Sequence, residues 1–288
     1  MFVSSKKIFI TTTAWCIMVS LLFTGCDMFF TPKTPLGYVL PRPKKTILDK
    51  KLNEISGLYY LEETGGILTI SDNKQKVYHL TLDGKVTDYL GADFAEQQDF
   101  EDILKVDSSI YVLVSNGTIL SVNKSDSEII TERHPFWSTQ KNDFESMYYD
   151  DSAKSIIMIC KSCAHEKGKN IRTAYRFDLE SMRFDTAVYY TINAKEVQNY
   201  LKDGVVKVNP SAAAIHPIEK RLYILSSSGN VIIVTDLKGK VQHVSRLHPT
   251  FYPQAEGITF APNGDLYISN EAKLGKPTLL RIPYKYGK

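Results

Sequence analysis

Along most of the chain, short apolar runs rich in Val, Ile, Tyr and Phe alternate with turns of Gly, Asn, Asp and Ser, the pattern of strands joined by tight hairpins. Five segments open alike: NEISGLYY, QDFEDILKV, NDFESMYYD, VNPSAAAIHP and PQAEGITFAP. Aligning Gly57, Asp102, Ser146, Ala212 and Gly257 gives separations of 45, 44, 66 and 45 residues. Each opening is followed by a second strand ending in a polar turn (ILTISDN, IYVLVSNG, IIMICKSC, LYILSSSG, LYISNE). A third strand comes next (KVYHLTL, GTILSVN, TAYRFDL, NVIIVTDL, TLLRIPY), and then a turn such as LDGK leads into a fourth. Four-stranded units repeating every forty-odd residues predict the blades of an all-β propeller. Five blades is the expected count and six the alternative. The long interval carries TINAKEVQNYLKDG, a helical insertion on a loop. The fifth unit lacks room for an outer strand, and residues 38–50 are expected to supply it from the other end of the chain.

The pattern fails at the N-terminus. Lys6 and Lys7 precede an uncharged stretch from Ile8 to Phe23, too short for a comfortable membrane span and of the right length for an export signal. It ends in LFTGC, which resembles a bacterial lipobox at Thr24, Gly25 and Cys26, with Phe23 where Leu is usual. The expected organisation is a lipoprotein signal peptide over 1–25, a proline-bearing tether lipidated on Cys26 over 26–37, and a propeller domain over 38–288. The expected location is the cell envelope, membrane-anchored through the lipid and facing periplasm or exterior.

Charge and cysteine content remove some partners. The net charge of +3 includes the two signal-segment lysines, and no basic run interleaves with aromatics, which argues against nucleic acid. Beyond Cys16 and Cys26, the remaining cysteines are Cys160 and Cys163 in CKSC: a local disulfide, half of a zinc site, or two free thiols.

Blade strands alternate in direction, so strand-one starts, strand-two ends and blade-to-blade loops share one face. At the strand-one starts stand two columns: Glu54, Asp99, Asp143, Asn209 and Gln254; and Ser56, Glu101, Glu145, Ser211 and Glu256. Six of these are carboxylates, and like charges gathered at an axis need a bound cation, shared protons, basic partners or solvation. An all-oxygen set from Glu54, Asp99, Glu101, Asp143, Glu145 and Glu256 suits Ca²⁺. Alternatively, either column ties neighbouring blades through their amides. Around them, Asp72, Asn116, Lys161, Asn209, Ser211, Asn270 and Glu271, with His134, Trp137 and Tyr252 from the loops HPFW and HPTFYP, are the candidate ligand-binding residues. GxSxG, HExxH, the P-loop and the dinucleotide fingerprint are all missing, so no catalytic residue is assigned.

The phrases EISGLYY, DFESMYY, PSAAAIHP, LYILSSSGNVIIVTDLKGKV and YPQAEGITFAPNGDLYISNE, in that order, resemble the SdiA-regulated (YjiK-like) family of bacterial exported proteins over most of 38–286. The CKSC turn and the insertion near 191–204 depart from the usual pattern. The resemblance implies a β-propeller akin to phytase-like and gluconolactonase-type propellers, many with channel Ca²⁺, and it implies no firm activity. Two functions are therefore expected: an envelope module binding a small ligand or partner at its acidic face, or a metal-dependent phosphoesterase or lactonase-type hydrolase.

Overall fold

The computed structural model describes residues 34–35, 37–125, 128–201, 204–273 and 275–285. The signal segment, Cys26 and nearly all of the tether lie outside the described residues. Among the described residues no helix is long and apolar enough to cross a membrane. Five antiparallel sheets form five blades. Blade one holds β2 (Ile55–Leu61), β3 (Gly66–Ser71), β4 (Lys74–Leu80) and β5 (Val86–Asp88). Blade two holds β6 (Phe100–Val106), β7 (Ser109–Val114), β8 (Ile119–Lys124) and β9 (Ile129–His134). Blade three holds β10 (Phe144–Asp150), β11 (Ser155–Cys160) and β12 (Ile171–Asp178); its outer position is divided between β13 (Arg183–Phe184) and β14 (Tyr190–Asn193). Helix α1 (Ala194–Tyr200) follows, with the Asn193 side chain accepting from Lys195 N to cap it. Blade four is β15 (Ala212–Ile215), β16 (Leu222–Ser226), β17 (Val231–Thr235) and β18 (Val241–Arg246). Blade five is β19 (Ala255–Phe260), β20 (Leu266–Asn270) and β21 (Thr278–Ile282), with β1 (Lys44–Ile47) paired antiparallel to β21 as its outermost strand.

The innermost strands β2, β6, β10, β15 and β19 contact one another in a closed ring. Side chains alternate across each strand, so both faces of a blade meet a neighbour and both are apolar. The core accordingly divides into five hydrophobic clusters, one at each blade junction. Tyr38 and Leu40 belong to the junction of blades four and five, where the Tyr38 hydroxyl donates to Gly264 O and Tyr252 donates to Leu40 O.

At the axis, Leu58, Ile103, Met147, Ala213 and Ile258 occupy equivalent positions one residue beyond the aligned column, and all five are buried. All five line, with Tyr59, Tyr60, Tyr149, Ile215 and Phe260, a cavity that shares no lining residue with the polar mouth formed by the strand-one starts.

Candidate functional site

The repeated acidic phrase marks a repeated irregularity of the backbone. In blade two Phe100 faces Val114 and Asp102 faces Leu113, which leaves Glu101 without a partner. The same skip isolates Glu145 between Phe144 and Ser146, and Glu256 between Ala255 and Gly257. Blade one shifts register between Ile55 and Leu58, around Ser56 and Gly57. A β-bulge of this kind re-aims its extra residue. Simple alternation would send the two columns the same way; the bulge separates them.

The second column then divides by residue type. Ser56 Oγ donates to Glu101 O at 2.5 Å, and Ser211 Oγ donates to Ala255 O at 3.0 Å, each tying its blade to the bulge of the next. Beside the column, Asp102 joins blades two and three: its carboxylate accepts from Ile103 N and Met147 N, both at 2.8 Å. A Cβ on Gly57 would strike this carboxylate, so only glycine fits there. Arg172 joins blades three and four, donating to Val208 O at 2.5 Å and Asn209 Oδ1 at 3.0 Å while pairing with the buried Glu166. Blade five meets blade one through Tyr60 N on Thr259 Oγ1 and Ala272 N on Asn53 O.

The glutamates converge on the polar mouth. Glu145 and Glu256 line a cavity of about 330 Å³ with Lys161, Asn209, Ser211, Ser227, Gln254 and Lys273. Lys161 pairs with Glu145, and Ser227, Gln254 and Ser211 lie in hydrogen-bond reach of Glu256. Burial, and then the charge of Asp99, push Glu101 up to about 9; Glu256 also acts on it, so the three bulge residues share one end of the molecule. Burial raises Glu256 to about 7. Glu271 reaches about 7 through burial and the charges of Glu256, Asp72 and Glu54, and Asp72 reaches about 6 through burial and Glu54. Asp143 is raised by burial against the opposing pull of Lys161. Glu54 accepts from Asn73 Nδ2, and Glu271 accepts from Gln254 Nε2. The mouth is thus an array of carboxyls short of charge compensation.

Lys161 owes its place to the CKSC turn. Cys160 and Cys163 are joined by a disulfide, and the Lys161 and Ser162 amides both donate to Asp143 O. The zinc half-site and free-thiol alternatives are thereby set aside. Among the described residues no three His, Cys, Asp or Glu side chains are grouped as a metal ion would require. Of the six carboxylates expected to hold Ca²⁺, Glu145 pairs with Lys161 and Glu54 accepts from Asn73 Nδ2.

Several expected ligand residues sit apart from this cavity. Asn116 Oδ1 accepts from Thr118 N within its own turn. Asn270 is buried and donates to Phe251 O and Thr278 Oγ1. Tyr252 is buried against the N-terminal segment. His134 and Trp137 line a different groove, between blades two and three.

The family model described as SdiA-regulated matches residues 37–274. A search of curated proteins returns no match. Among solved structures, glutaminyl cyclase from Myxococcus xanthus aligns at 12% identity with a TM-score of 0.55, covering 84% of this chain and 94% of that one. A luciferin-regenerating enzyme aligns at 11% identity and TM-score 0.53, covering 84% and 95%. The soluble aldose sugar dehydrogenase of Escherichia coli, in its apo-form, aligns at 12% and 0.53, covering 84% and 100%. At such identities the likeness carries the propeller fold and no chemistry.

Proposed function

The chain belongs to the SdiA-regulated family, and from that premise we propose that it is an exported, lipid-anchored envelope module that binds a small cationic ligand at the polar mouth of its propeller. The observation that carries this reading is the cavity lined by Glu145 and Glu256, close enough to Glu101 that the charges of Glu256 and Lys161 act on its carboxyl, which burial pushes up to about 9. At neutral pH that carboxyl holds a proton which an arriving cation would displace. The ligand is either an organic amine or Ca²⁺; the cavity of about 330 Å³ has room for either. Export is supported by LFTGC ending at Cys26 and by the Cys160–Cys163 disulfide, a bond that persists outside the reducing cytoplasm.

Calorimetric titration of the full chain with putrescine and with CaCl₂, at pH 6 and pH 8, tests the reading. One of the two binds more tightly at pH 8, releases protons on binding and loses at least tenfold in affinity in Glu101→Gln and Glu145→Gln. If neither cation binds, or if binding is indifferent to both substitutions, the reading falls. The anchor is tested separately by fractionation, in which Cys26→Ser moves the protein from membrane to soluble fractions.

A second reading, a metal-dependent phosphoesterase or lactonase, is favoured by Glu256 and Glu271, whose carboxyls titrate near neutrality and so suit proton transfer. Hydrolysis of p-nitrophenyl phosphate or a γ-lactone, abolished in Glu256→Gln, would place this reading first. Unchanged hydrolysis in that variant, or none in the wild type, would remove it.

A further inference from the structure

The HPFW loop does not serve the axial cavity. It builds a groove of about 300 Å³ between blades two and three, lined by Arg133, His134, Trp137, Phe177, Arg183 and Phe184. The groove lies where the outer edge of blade three is thinnest, since β13 is only Arg183–Phe184. Trp137 stands there 47% exposed, although a side chain of its size is ordinarily covered. Its indole is held from behind by Phe136 at 5.2 Å and Tyr175 at 6.2 Å. Phe136 is buried against Phe144, Tyr175 and Phe184 in turn, so the platform is rigid. Two guanidinium groups flank it. Of the nearby acids, Glu132 alternates away from Arg133 and sits on the side of His134, whose ring its charge reaches, and Asp185 is paired with Arg176 at 2.7 Å. His134 shares a hydrogen bond with Ser121 Oγ at 3.0 Å, and burial pushes its pKa down, so it is neutral at pH 7.

We propose that this groove is a second binding site, separate from the axial cavity, for an acidic saccharide of the uronic acid type. An indole open on one side matches a pyranose ring, which has an apolar C–H face to stack and hydroxyls on its rim to leave in water. An aromatic ligand would instead be enclosed on both faces, and neither ring beside Trp137 lies parallel to the indole: Phe136 is tilted by 41° and Tyr175 meets it edge-on at 76°. The planar fork of Arg133 or Arg183 pairs with the carboxylate through two parallel hydrogen bonds. Arg133 already donates to Gln98 Oε1 at 3.0 Å, which orients its guanidinium.

The chain has two tryptophans, so in a Trp15→Phe background the emission reports Trp137 alone. Titration of that full-length protein with trigalacturonate quenches the emission. Fully methyl-esterified trigalacturonate, which keeps the rings and lacks the charge, binds roughly tenfold or more weakly. Arg183→Gln lowers affinity for the acid by a similar factor while leaving the ester unchanged, and calorimetry on Trp137→Ala finds no binding of either. Should Trp137→Ala fail to fold, the acid-against-ester and Arg183→Gln comparisons decide alone. No binding of trigalacturonate, equal binding of acid and ester, or benzoate binding as tightly as the saccharide would overturn the proposal.

Discussion

One position in the strand-one repeat carries glutamate in blades two, three and five and serine in blades one and four, and the two residue types do opposite work. The serines turn sideways and tie their blade to the bulge backbone of the next. The glutamates turn toward the axis and meet one another, Lys161 or solvent. A hydroxyl is short and neutral, so it reaches a neighbouring carbonyl without a charge to bury; a carboxylate held as tightly costs desolvation and is retained where a ligand can offset it. Ties and site are therefore interleaved around one ring, and the serine blades hold the bulges from which two of the glutamates project.

The sharpest break in that arrangement is at Asp102, a buried carboxyl used as a tie. Asp102→Ala leaves the buried Ile103 and Met147 amides without an acceptor and should cost about 3 kcal/mol in chemical denaturation. Asp102→Asn, which keeps one acceptor oxygen, should lose roughly half as much. Next comes the double variant Ser56→Ala with Ser211→Ala, expected to lose about 2 kcal/mol, near 1 per tie. The last effect has the opposite sign. Glu101 titrates at about 9 in the folded chain against 4.5 when unperturbed, so between those values the folded state holds a proton that the unfolded chain has released. Stability therefore falls as pH rises through that window. Glu101→Gln removes the slope: its melting temperature should exceed the wild type at pH 9 and match it at pH 4, in calorimetric scans at both. A serine substitution that stabilised, or a Glu101 substitution that destabilised at pH 9, would erase the distinction between tie and site.

Spacing carried most of the architecture. Repeats aligned on Gly57, Asp102, Ser146, Ala212 and Gly257 marked the start of every innermost strand, because each blade must begin by presenting the same edge to the axis. The direction of side chains was less legible. Two residues spaced i and i+2 face one way only in an unbroken strand, and the bulge at Glu101, Glu145 and Glu256 depends on pairing with β7, β11 and β20, which no local pattern records. Gly57 and Gly257 were the available hint, since glycine within a strand marks a bulge or a close approach. The ties made by Asp102 and Arg172 stayed hidden for a related reason: each reaches a backbone group about forty residues away in sequence. Trp137, expected at the central face, lines a groove between blades two and three, because loops on one face of a disc can open at its centre or at its rim.

The cavity around Leu58, Ile103, Met147, Ala213 and Ile258 has no wall in common with the one between Glu145 and Lys161. A molecule seated at the carboxyl end touches the lip around Lys161 and Lys273 and none of the tyrosines of the other cavity. Each end can thus drift, be redesigned or acquire a new guest without disturbing traffic at the other.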